Sequence, residues 1–139
     1  MLKFFKSSLI AAFLSMLFMG FTCYTDKDAI VIGSGGGFTG KVITYTINEK
    51  GNTFKDDGSG FKNFGKLSGN ELHKIRKEIK KSGFYESTLR DPGNLYYFLE
   101  TVHKGKNHKV TWGNQQSDES KKLQVLYNLI LEKINQSKF

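Results

Sequence analysis

Gly35, Gly37 and Gly40 satisfy the spacing G-x-G-x-x-G directly after an apolar AIVI stretch at residues 29–32, which is how a dinucleotide-binding turn begins. That chemistry requires a helix after the glycines, whose free N-terminal amides and dipole hold the pyrophosphate. The residues that follow are KVITYTI, 41–47, β-branched and alternating, and they predict a strand. The pattern therefore argues against an FAD- or NAD-binding oxidoreductase, and no cofactor is expected. Two readings of the glycine run stay open. It is a flexible connection whose glycines permit positive φ, or it is a recognition loop that presents Phe38 and Thr39 between them. On the second reading Gly35, Gly36, Gly37, Phe38 and Thr39 form a partner-binding loop.

Other chemistry-bearing residues are scattered. His103 and His108 flank a turn signal at residues 104–107 and could sit across from each other, but two imidazoles without a third ligand make a poor metal site. No spacing of Ser, His and Asp marks a nucleophile with its base. Tyr96, Tyr97 and Phe98 stand in a row; alternation sends Tyr96 and Phe98 to one face of a strand, where they are candidates for partner contact, and Tyr97 to the other.

Cys23 is the only cysteine among 139 residues, which excludes an intramolecular disulfide. It stands where a secretory leader would end. Lys3 and Lys6 lie in a basic opening segment without acids, and residues 9–21, LIAAFLSMLFMGF, form an apolar core too short for a spanning helix. We read residues 1–22 as a signal peptide of the lipoprotein type, with Gly20, Phe21 and Thr22 an imperfect lipobox. Cys23 is then the lipid attachment site and residues 23–28 a short tether. The competing reading discards Cys23 with the leader.

The formal charge is +8, from 21 Lys and Arg against 13 Asp and Glu. Loss of Lys3 and Lys6 with the leader takes it to +6. The densest cationic run, Lys74, Arg76, Lys77, Lys80 and Lys81, is interrupted by Glu78 and carries no interleaved aromatics, so it reads as a solvated helix face and no nucleic acid is expected as a partner. With 38% hydrophobic and 24% charged residues, the composition is that of an ordinary globular domain.

Residues 29–139 are expected to form that single domain. AIVI and KVITYTI predict two strands around a break at residues 33–40, and residues 52–54 the start of a short third. The glycine-rich stretch from Gly51 to Gly69 reads as a mobile connection. Ser68 and Glu71 have capping-box spacing ahead of Leu72, Ile75 and Ile79, which predicts an amphipathic helix ending near Ser82, with Gly83 as its stop. Asp91, Pro92 and Gly93 signal a turn. The segment LYYFLETVHKGKNHKVTW predicts a hairpin; centred on Gly105 and Lys106 it would set His103 opposite His108 and Leu99 opposite Trp112, with Tyr97, Leu99, Val110 and Trp112 on the core face. Ser117 caps a second helix that buries Leu123, Leu126, Tyr127, Ile130 and Ile134. The fold class expected is α+β: a mostly antiparallel sheet in the order ββ(β)αββα, with two helices packed on it.

The succession GGFTGKVITYTI, ELHKIRKEIKKSGFYE, NLYYFLE, HKVTW and LQVLYNLILEKI resembles the emfourin-like protealysin inhibitor family over roughly residues 30–134, with Gly36, Gly37 and Phe38 as the one motif-like match. The resemblance implies inhibition of a thermolysin-like zinc peptidase by a protein that itself binds no zinc. Unlike those proteins, this chain carries a leader. The expectation is thus a small, exported, lipid-anchored binding module of the cell envelope, not an enzyme, whose partner is a protein such as a secreted metallopeptidase. The alternative is a structural envelope lipoprotein without a discrete target.

Overall fold

Alternation of β-branched residues fixes the first element. In a computed structural model describing residues 28–113 and 117–139, β1 (Asp28–Gly36) turns Ile30 and Ile32 to the interior and Val31 and Gly33 to the opposite face. The strands β2 (Ile43–Asn48), β3 (Asn52–Asp56) and β4 (Lys62–Lys66) follow by short turns, each antiparallel to the last. Helix α1 (Gly69–Lys81) leads through a 3-10 turn at Phe84–Glu86 to β5 (Arg90–Asp91), β6 (Leu95–His103) and β7 (Lys106–Trp112), and α2 (Asp118–Gln136) closes the order. The strands form one sheet, β4-β3-β2-β1-β6-β7-β5, antiparallel except where β5 meets β7. The α+β architecture is therefore the one the patterning predicts, with two helices on a mostly antiparallel sheet.

Both helices are set by their first turns. The Ser68 hydroxyl accepts from the Glu71 N–H at 3.3 Å, while the Glu71 carboxylate accepts from the Ser68 N–H at 2.9 Å, so the capping box is complete. Ser117 Oγ accepts from the Ser120 N–H at 3.1 Å at the start of α2. Gly83, at φ 78°, stops α1. Leu72, Ile75 and Ile79 from α1 and Leu123, Leu126, Tyr127, Ile130 and Ile134 from α2 are buried against Ile30, Ile32, Ile47, Leu99, Val110 and Trp112 of the sheet. Each such aliphatic side chain contributes roughly 1.5–3 kcal/mol on burial. Among the described residues no helix is long and apolar enough to cross a membrane.

Four local expectations change. The break expected at residues 33–40 begins only after Gly36, since β1 runs on through the glycines and pairs with Tyr96 and Leu95 of β6. The stretch from Gly51 to Gly69 is not a loose connection; it holds β3 and β4, whose turn is closed by Gly58 N–H to Asp56 Oδ1 at 2.8 Å and Ser59 Oγ–H to Asp57 Oδ1 at 2.6 Å. The β6–β7 turn consists of Lys104 and Gly105, at φ 50° and 77°, so His103 faces Lys106, Thr101 faces His108 and Leu99 faces Val110. This register differs by two residues from the expected one, and an even slip keeps every side chain on its predicted face. Of the turn expected at Asp91, Pro92 and Gly93, Asp91 instead joins Arg90 in the short β5 beside Thr111 and Trp112, and the chain leaves the strand only at Pro92.

The outer edge of the sheet is strapped by the chain's own end. Lys138 bridges Gly65 of β4, and the Lys66 N–H donates to the Ser137 carbonyl at 3.3 Å.

Candidate partner-binding site

On the face of the sheet away from the helices, a strip of glycine along β1 is covered by aromatic side chains from β6. Gly33 pairs with Phe98 and Gly35 with Tyr96. A methyl group at Gly33 would lie 2.3 Å from Phe98 Cζ, and one at Gly35 2.6 Å from the Tyr96 hydroxyl, so both aromatics occupy space that a side chain on β1 would fill. Lys109 Nζ stands 4.3 Å from the centroid of the Phe98 ring and 4.0 Å from Glu100 Oε2. Phe98 is buried as a result. It supports the face from within, whereas half-buried Tyr96 remains part of the surface.

The strand then ends abruptly. Gly36 adopts φ 89°, and a methyl group there would fall 2.1 Å from the Asn94 carbonyl oxygen; that oxygen accepts from the Gly37 N–H at 2.7 Å. Only glycine tolerates this combination of left-handed backbone and close approach. The next turn is closed by the Gly40 N–H, which donates to the Gly37 carbonyl at 3.3 Å. Phe38 and Thr39 occupy its two central positions. Phe38 is fully exposed, and beside the stem Leu95 is 48% and Val42 38% exposed. The backbone leaves Gly40 toward β2 without a helix, so the convergent amides of a pyrophosphate site are not built here.

Below this turn the opposite face is stiff. The Tyr97 ring lies 5.2 Å from Tyr127 and 6.2 Å from Trp112, centroid to centroid, and the Trp112 indole N–H donates to Gln124 Oε1 at 2.8 Å. Burial pushes the Tyr127 hydroxyl above the usual tyrosine range, an effect its hydrogen bond with Ser34 partly offsets. The first residues of β6 are thereby pinned from the core side, and with them the anchor for Gly36 and Gly37.

The sequence candidates Gly35, Gly36, Gly37, Phe38, Thr39, Tyr96 and Phe98 thus lie toward one end of the sheet, in different roles, with Tyr96 on the surface. Gly35 and Gly36 belong to the strand, Gly37 to Thr39 form the turn, and Phe98 is support. Leu95 and Val42 join the exposed apolar surface although neither carries a signal in the sequence beyond ordinary strand propensity. Cys23, together with the whole leader and most of the tether, lies outside the described residues.

The histidines do not come together as a pair. His103 Nδ1 lies 2.9 Å from Asp28 Oδ1, and His108 Nε2 lies 2.9 Å from the Phe84 carbonyl oxygen. Among the described residues no three His, Cys, Asp or Glu side chains gather as a metal site. Comparison of the chain with protein-family models and with curated proteins returns no match.

Proposed function

We propose that the chain is an exported binding module of the cell envelope, held to the membrane through Cys23, that captures a protein partner with the Gly37–Gly40 turn. The observation that carries this reading is Phe38, a whole aromatic side chain in solvent at the tip of a turn whose stem is clamped by Asn94. A large apolar group held out on a short, internally bonded turn loses little freedom when a pocket closes over it, which favours affinity. Exposed Leu95, next to Gly37, and Val42, next to Gly35, add apolar surface beside the stem of the turn.

The most concrete form of this proposal is inhibition of a thermolysin-like metallopeptidase, as the resemblance to the emfourin-like family implies. In that form Phe38 enters an apolar part of the peptidase cleft, and the turn's closing hydrogen bond keeps the backbone folded back on itself.

The test is a titration of a thermolysin-like peptidase with the purified protein, alongside a pull-down from envelope extract. Expected is stoichiometric inhibition, weakened at least tenfold in Phe38→Ala. Absence of inhibition with a stoichiometric captured protein would remove the peptidase and keep the binding module; absence of any stoichiometric partner would favour a structural envelope lipoprotein. Intact mass of the membrane-extracted protein tests the anchor separately, the expected species lacking residues 1–22 and carrying acyl chains on Cys23.

A further inference from the structure

The two ends of the sheet differ in chemistry. One end carries the Phe38 turn, Leu95 and the β3–β4 turn with its exposed Phe61. β1 crosses nine residues to the other end, a distance of about 27 Å at the usual rise of a strand. There Asp28 begins the strand beside the Lys104–Gly105 turn, where the Lys104 N–H donates to Asp28 Oδ1 at 3.4 Å.

This second end is basic. Arg76, Lys77 and Lys80 recur at three- and four-residue spacing with His73, so they share one flank of α1. That flank walls a cleft of about 780 Å³ whose other side is the start of β1 and the end of β6. Among the described residues none of the three cations has a carboxylate within ion-pair distance, and the acid of the cleft, Asp28, is engaged by His103. The neighbouring flank of the helix differs, since Lys81 pairs with Glu78 at 3.5 Å. Lys104 of the adjoining turn and Lys106 at the start of β7, the register partner of His103, lie at this same end. Such a field, left uncompensated within the domain, favours an anionic counterpart.

The chain that precedes Asp28 says which counterpart. From Cys23 to Asp28 the backbone can reach at most about 18 Å. With a bilayer holding the protein by an acylated Cys23, the basic end is the one kept near it. We propose that Arg76, Lys77, Lys80, Lys104 and Lys106 seat the domain on anionic phospholipid headgroups, standing it upright with Phe38 at the far end. This inference rests on the membrane attachment proposed above and adds its orientation. A lipid anchor and a cluster of cations act together, since either alone holds a protein only marginally, and the electrostatic share is screened within about 10 Å at 0.1 M salt.

The experiment is cosedimentation of the full chain with vesicles of phosphatidylcholine alone or mixed with phosphatidylglycerol. Neutral vesicles read the anchor; the excess on anionic vesicles reads the basic end. Expected is an anionic excess that falls about fivefold for each cation removed in Arg76→Gln/Lys80→Gln and vanishes at high salt. The variant Lys41→Gln/Lys62→Gln takes equal charge from the Phe38 end and is expected to keep the excess. All four positions are exposed, and thermal melts are the check that both variants fold. No anionic excess, or the same loss in both variants, overturns the inference. An excess confined to the basic end without neutral binding upholds it and removes the anchor instead.

Discussion

Phe98 fills the space over Gly33 that a side chain on β1 would take: the two are register partners, and a methyl group at position 33 would sit 2.3 Å from Phe98 Cζ and 2.8 Å from the Ile43 carbonyl oxygen. The Lys109 ammonium closes over the same ring at 4.3 Å. A face of the sheet that no helix covers thereby buries a phenylalanine by using glycine as its floor.

Gly33→Ala should therefore lower stability by about 1–3 kcal/mol through overpacking, and Phe98→Ala by about 3 kcal/mol through the lost ring. Combined, they should cost less than the sum by at least about 0.5 kcal/mol, because the alanine methyl enters the space the ring vacates. Urea denaturation of the two single variants and the double variant measures the coupling. Strict additivity would show that the ring and the glycine do not depend on each other.

Phe38→Ala and Gly36→Ala separate contact from scaffold. Phe38 touches solvent, so its removal should change the melting temperature by no more than the equivalent of about 0.5 kcal/mol while weakening the proposed capture at least tenfold. Gly36→Ala forces a side chain onto left-handed backbone and against the Asn94 carbonyl, and should reduce melting temperature and capture together. Parallel thermal melts and pull-downs read both, and a Phe38→Ala protein that melts early would place that ring in the core.

Gln124→Ala leaves the Trp112 indole N–H without its acceptor at a position 1% exposed. The expected loss is about 1–3 kcal/mol, the cost of an unsatisfied buried donor. Trp112 is the chain's one tryptophan, so fluorescence reports the change directly. An unchanged melt and emission maximum would mean that the indole finds a second acceptor.

Glu71 gives a pH dependence. Its carboxylate accepts from the Ser68 N–H and, second in effect, from the Ser68 hydroxyl, both at 2.9 Å, and is held below the usual glutamate range. A carboxyl whose folded pKa is depressed contributes its stability above the unfolded pKa, and the contribution disappears as pH falls through the folded one. The stability difference between the wild type and Glu71→Gln should thus be constant near neutrality and shrink below about pH 4.3. Urea midpoints taken across the acid range measure it, and a difference independent of pH would disconnect the charge from the cap.

What could be read in the chain followed the range of the interactions. Ser68 and Ser117 announce their helices because a cap is made within three residues. Tyr97, Leu99, Val110 and Trp112 are assigned to the interior correctly despite a register two residues out, since alternation fixes a face without fixing a partner. The run of β1 through Gly33 and Gly35 was not legible: the side chains that make those glycines a strand, Tyr96 and Phe98, arrive some sixty residues later. For β4 the supporting Ser137 and Lys138 lie at the other end of the sequence. Phe38 stood out from its flanking glycines, but those same glycines stiffen the turn through Asn94 rather than loosening it. Leu95 reaches the turn only through the β1–β6 pairing, and Val42 only through the β1–β2 pairing. Arg76, Lys77 and Lys80 read as a solvated helix face and all three are exposed, but that the face lines a cleft with Asp28 depends on the fold.

The strap at Gly65 also bears on what happens when many copies share one surface. Ser137 and Lys138 already occupy the Gly65–Lys66 end of β4, and the opposite border ends in a two-residue β5 next to a lysine-bearing β7. A sheet whose borders are shortened in this way offers a neighbouring copy less free backbone than an open one, so concentration alone gives edge-to-edge polymerisation a poorer start.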